Sequence, residues 1–143
     1  MKQFLVLAAI LPLMLVFLVQ FSMDQINSSR IGILSDVVYT AKEEAKQEGC
    51  FTQQIRNDLT ARISSALQID PSDIRIEATD TVRYRIMDAD GYGDDDWERG
   101  LIYYKVSVPI GELMAGRRLF GIREQDNVYY YTIESYTASE KLP

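Results

Sequence analysis

Residues 4 to 19 read FLVLAAILPLMLVFLV, an unbroken apolar run. The uncharged stretch extends from Gln3 to Met23. As a helix at ~1.5 Å per residue it spans roughly 30 Å, the thickness of a bilayer core. A helix that is apolar all round must be covered on every side by lipid or protein. The rest of the chain has to be arranged around that requirement.

Two readings compete for the run. A cleaved secretory signal has a basic start, a short apolar centre and small residues before the cut. Lys2 is a weak basic start, the run is long for a signal centre, and the following VQFSMDQ shows no Ala-x-Ala pattern. The balance favours an uncleaved anchor over residues 1–23, with Phe4, Leu11, Val16 and Phe21 in contact with the bilayer. Pro12 inside it is acceptable, because membrane helices tolerate Pro better than soluble ones do. Signal-anchor logic places Lys2 in the cytoplasm and everything from Asp24 onward outside, giving a single-pass protein of the cell membrane.

The helical pattern continues past the apolar run. Residues 24–48 contain neither Pro nor a strong turn pair, and KEEAKQE supplies good helix formers. Ile26, Ile33, Val37 and Ala41 recur at spacings of seven and four, which predicts one apolar stripe joining this stalk to a globular head. Glu48-Gly49 provides the stop. One helix from about residue 4 to 48 would be roughly 65 Å long.

A second helix follows, with Thr52 as its N-cap and Ile55, Leu59, Ile63 and Leu67 repeating every fourth position, Ala66 beside them. Asp70-Pro71-Ser72-Asp73 ends that region in a turn. The period then switches to two. Ile74, Ile76 and Ala78 share a face, as do Val82, Tyr84 and Ile86, and so do Ile102, Tyr104, Val106, Val108 and Ile110. Val82–Ile86 and Leu101–Ile110 read as hairpin partners. A connector rich in Gly and Arg covers 111–127, and VYYYTIESY is the last strand. Helices followed by strands predict an α+β domain with an antiparallel sheet of three to four strands, one face of it buried by both helices.

The loop of the predicted hairpin reads DADGYGDDDWE, residues 88–98. The net charge is −6, from 15 basic and 21 acidic residues, and setting aside the six acids of this loop leaves 15 of each sign. A helix-loop-helix calcium site starting at Asp88 would want an oxygen ligand at position 92 and a Glu at 99. Those positions hold Tyr92 and Arg99, and the flanks read as strands. A looser calcium site using Asp88, Asp90, Asp94, Asp96 and Glu98 stays open. So does a protein contact through Tyr92 and Trp97. A plain solvated loop comes ahead of both, since hairpin loops are exposed and acids solubilise strand edges.

Several function classes find no support. The chain has no His, no Gly-x-Ser-x-Gly and no phosphate-cradling loop, so an enzyme with a small-molecule substrate is not expected. No basic patch with interleaved aromatics invites nucleic acid. Cys50 is the single cysteine, which leaves a small buried side chain or a cross-link between subunits; the buried side chain is the leading reading. The nine tyrosines read as a core face plus an amphipathic outer face, with a second packed face as the other reading.

The layout resembles the pilin-like proteins of Tad-type systems, the TadE-like minor pilins and related small membrane-anchored proteins of Gram-positive bacteria. The likeness runs through the apolar start, a stalk ending EEAKQEGCFT, the helix IRNDLTARISSAL, then IDPSDIRIEATDT, IYYKVSVPIG and the tail IESYTASEKLP. It implies a pilin-like fold and a structural role in a secretion or conjugation apparatus. It also implies homo- or hetero-oligomers formed through the N-terminal helix, within or beside a surface filament. The start MKQFLVLAAI has neither the small residue before the apolar run nor the Glu that many pilins carry. An accessory, non-polymerising role needs neither.

The expected organisation is a transmembrane segment at 1–23, a stalk helix at 24–48 and an extracytoplasmic α+β domain at 49–143. The alternative function is a membrane-anchored binding module whose acidic loop takes calcium or a basic partner.

Overall fold

The computed structural model describes residues 1–86 and 100–143. A single helix, α1, runs from Lys2 to Glu48, and α2 spans Gln53–Leu67. Among the described residues three strands follow: β1 (Arg75–Ala78), β2 (Leu101–Glu112) and β3 (Val128–Ala138). They form an antiparallel sheet in the order β1-β2-β3, with β2 in the middle. The architecture is α+β.

The helix ends follow local chemistry. Gly49 stops α1 at φ 82, and its N–H donates to the Ala45 carbonyl at 2.8 Å. The Thr52 hydroxyl accepts from Ile55 N at 3.2 Å and caps α2. Asp70 caps the turn at Pro71–Asp73 by accepting from Ser72 N at 2.9 Å.

The sheet buries one face. Along β2, Ile102, Tyr104, Val106, Val108 and Ile110 are all buried, as alternation requires. Against them pack Ile55, Leu59, Ile63 and Leu67 of α2, together with Leu34, Val38, Ala41 and Ala45 of α1. The Phe51 ring, fully buried between the helices, meets Tyr104 at 5.7 Å between centroids. The upper half of α1 is therefore a core helix of the head and not a bare stalk.

The stripe of α1 that faces the head differs from the expected one. Leu34 is 0% exposed, whereas Ile33 is 39% and Ile26 55% exposed. Val37 packs at the margin of the core, and only Ala41 of the expected set is buried. The true inner stripe descends through Ala45, Ala41, Val38, Leu34, Arg30, Asn27 and Gln20. Its lower part is polar because there the helix meets strand-end backbone, so a search for apolar residues alone settled on the neighbouring face.

Residues 82–86 are also corrected. Among the described residues they join no strand ladder and do not pair with β2, and Val82, Tyr84 and Ile86 are exposed. Instead, Arg83 N donates to Gly49 O and Arg85 N to Lys141 O, each at 2.7 Å, and Ser139 Oγ donates to Arg83 O at 2.7 Å. The segment is tied between the end of α1 and the C-terminal tail.

Candidate functional site

The first candidate is the lower half of α1. This helix is long and apolar enough to cross a membrane, and none of its most apolar window is buried inside the protein. Phe4, Leu11 and Phe21 are exposed, and Val16 is partly covered. All four anchor residues lie on the part of α1 that the head leaves open to whatever surrounds it.

Where that half meets the head, side chains of α1 grip backbone atoms of the β2 end and the connector after it. Arg30 Nη1 donates to the Ile110 carbonyl. Asn27 Nδ2 donates to Glu112 O at 3.2 Å. Gln20 does more: its Nε2 donates to Leu113 O at 3.1 Å, and its Oε1 accepts from Ala115 N at 2.9 Å. Descending β2 thus tracks α1 toward its N-terminus, and the connector touches the helix at the edge of the apolar run. Gln20 looks out of place in the sequence, one step after Val19. Its carboxamide is matched by a backbone donor and a backbone acceptor of the connector.

A second candidate is the sheet face turned away from the helices. Tyr103 and Tyr136 stand opposite each other across β2 and β3, ring centroids 5.2 Å apart. The Tyr103 hydroxyl donates to Glu134 Oε1 at 2.8 Å. That hydrogen bond, with desolvation and the glutamate charge behind it, pushes the Tyr103 hydroxyl up to about 12. Lys105 is paired in register with Glu77 on one side and Glu134 on the other. Tyrosines occupy both faces: Tyr104 lies in the core, Tyr129 and Tyr131 pack against it, and Tyr130 and Tyr136 are exposed. The amphipathic reading of these strands describes them well.

The upper end is tied down by charge. Lys46 Nζ meets Glu140 at 3.0 Å, and Glu140 N donates to Lys46 O at 2.9 Å. The Glu140 carboxylate, through that hydrogen bond, holds the Lys46 ammonium above its ordinary range. Cys50 is 3% exposed, and burial pushes its thiol up, the behaviour of an inert packed side chain.

The acidic candidates Asp88, Asp90, Asp94, Asp96 and Glu98, and the contact candidates Tyr92 and Trp97, lie outside the described residues. Among the described residues, no three Asp, Glu, Cys or His side chains are gathered as a metal site. A broad cleft of about 770 Å³ lies between the C-terminal end of α1 and the start of α2, rimmed by Glu43, Glu44, Glu48 and Asp58. These acids ring an open surface and do not converge on one point.

Comparison with protein-family models, with curated proteins and with solved structures finds no match for this chain.

Proposed function

We propose that this protein is a non-enzymatic, membrane-anchored structural subunit of the pilin-like kind. In this reading it resembles the TadE-like proteins of Tad-type systems and serves a secretion or conjugation apparatus. Residues 1–23 hold it in the cell membrane, and its α+β head sits outside the cytoplasm. The observation that carries the reading is the continuity of α1. One helix has no buried residue in its most apolar window and contributes to the core of the head in its upper half. A device of that shape transmits the position of the anchor directly to the head, with no flexible linker between them.

A second feature supports assembly through the helix. Ile26 and Ile33 are exposed on the face of α1 next to the one that packs on the head and extend the apolar surface beyond the bilayer. Burying such a surface is favourable at roughly 25 cal/mol per Å². The occupant we assign to it is the N-terminal helix of a second subunit, as helix-to-helix assembly requires.

The experiment is membrane fractionation combined with intact-mass measurement and cross-linking. An uncleaved chain that resists carbonate extraction and cross-links through α1 is expected. A trimmed, soluble product would overturn the anchor, and a monodisperse monomer without partners would overturn the structural role.

A further inference from the structure

The anchor is short relative to the point where the head grips it. Gln20 is hydrogen-bonded to Leu113 and Ala115. From Lys2, the charge that bounds the apolar run, to Gln20 the helix is about 27 Å long, no more than a bilayer core of about 30 Å. If residues 1–23 span the membrane, as proposed above, Gln20 lies at the boundary of the lipid. The connector bonded to it is then held at the same level. The head has no room to stand clear of the membrane.

The composition of that connector fits the position. Between β2 and β3, the turn Arg117–Phe120 presents Leu119, 78% exposed, and Phe120, 58% exposed, and Leu113 beside it is 50% exposed. Three large apolar side chains bared on one short surface loop are unusual in water. Arg117, Arg118 and Arg123 lie in the same stretch. Arg117 reaches Glu124 at 3.1 Å and Arg123 reaches Asp126 at 2.8 Å, while Arg118 makes no ion pair among the described residues. Apolar side chains flanked by arginines are the makeup of a segment that lies in the membrane interface, rings and methyls among the upper acyl chains and guanidinium groups at the headgroups.

We propose that the connector 113–123 is a second membrane contact. Leu113, Leu119 and Phe120 enter the interface, and Arg118 binds an anionic lipid headgroup. The proposal rests on the anchor reading. It adds a consequence: with two contacts, α1 and the connector, the head is fixed in tilt and rotation against the bilayer instead of turning about a single helix. The two contacts are coupled through Gln20, so the head orientation is set where lipid meets protein.

The test uses the full chain with Cys50→Ala, reconstituted in vesicles of phosphatidylcholine, alone or mixed with phosphatidylglycerol. An environment-sensitive fluorophore is placed in turn at Leu119→Cys, at Leu11→Cys in the anchor and at Ser65→Cys on the exposed side of α2. Docking predicts that the label at 119 emits to the blue and is quenched by lipids brominated in their chains, like that at 11 and unlike that at 65. Adding Arg118→Gln should lower the ratio of docked to undocked label about fivefold in the anionic vesicles and leave it unchanged in the neutral ones. A label in lipid at 11 but in water at 119 overturns the docking and leaves the anchor standing. A label at 119 shielded from water yet untouched by brominated lipid means that protein covers the connector, which also overturns the docking. A label in water at position 11 removes the anchor, and the docking falls with it.

Discussion

Asn127 and Met114 are joined by two reciprocal hydrogen bonds: Met114 N donates to Asn127 Oδ1 at 2.9 Å, and Asn127 Nδ2 donates to Met114 O at 3.0 Å. One side chain thus satisfies both backbone groups of a residue across the base of the connector, as a neighbouring strand would. Asn127 is itself 2% exposed, and its carbonyl accepts from Leu113 N at 2.9 Å. The pair closes the loop that carries Leu119 and Phe120. Asn127→Ala leaves the part-buried Met114 N–H and carbonyl without these partners, and a stranded polar group costs about 1–3 kcal/mol. The full chain in detergent should lose about that much stability in denaturant titration. Amide exchange at Met114 and Ala115 should accelerate while Val106 stays protected. Unchanged exchange at Met114 would show that the side chain does not hold the loop.

Leu34 and Ile33 are sequence neighbours on opposite sides of a functional boundary. Leu34→Ala opens a cavity in the core and should cost about 2–5 kcal/mol. Ile33→Ala touches a partly exposed position and should cost less than about 1 kcal/mol. The proposed assembly reverses the order for association. Ile26→Asp with Ile33→Asp should weaken cross-linking between subunits while leaving the melting of the head in place. Equal effects of Leu34→Ala and Ile33→Ala on stability would mean that the inner face of α1 has been misplaced.

That pair also marks how far the sequence could be read. The elements of this fold announce themselves through strong local signals. A stop at Gly49, a cap at Thr52, four-residue spacing from Ile55 to Leu67 and strict alternation along β2 each act within a few residues. The inner face of α1 depends on tertiary contacts instead. Gln20, Asn27 and Arg30 belong to it because strand-end carbonyls lie opposite them, and a hydrophobicity pattern passes over polar residues. The segment 82–86 alternates like a strand, yet its amides are bonded to Gly49 and Lys141 instead of to a strand. The connector gave a weaker sign: Leu and Phe beside arginines in a Gly-rich stretch read as a loop, and its tie to Gln20 joins residues too far apart in sequence for a local pattern.

The Tyr103–Glu134 pair makes a pH prediction. The glutamate accepts a hydrogen bond from the neutral phenol and disfavours the phenolate, so the hydroxyl is raised to about 12 in the folded chain, against about 10 unfolded. The favourable contribution is fully present below pH ~10 and is lost as the pH rises from there through about 12. Tyrosinate absorbance should reveal one residue titrating as late as about 12. Glu134→Ala should bring it back toward the ordinary range. A Tyr103 whose titration is the same before and after the substitution would rule the pairing out.

Gly49 carries the last prediction. Its φ of 82 lies in the left-handed region, and a Cβ there would run into the Arg83 carbonyl oxygen. The same glycine accepts from Arg83 N at 2.7 Å, so helix end and returning chain lie back to back with no gap for a methyl group. Gly49→Ala therefore combines the left-handed penalty of about 1–2 kcal/mol with displacement of residues 82–86. Gly32 offers the internal control. It sits inside α1 with open space around its Cα, and Gly32→Ala should raise stability by about 0.5–1 kcal/mol. Denaturant titration of both variants should move in opposite directions. In Gly49→Ala alone, the amides of Arg83 and Arg85 should exchange faster, because their acceptors Gly49 O and Lys141 O belong to the same tied corner. A Gly49→Ala chain as stable as the parent would mean that the corner yields freely, and residues 82–86 would then be held by the C-terminal tail alone.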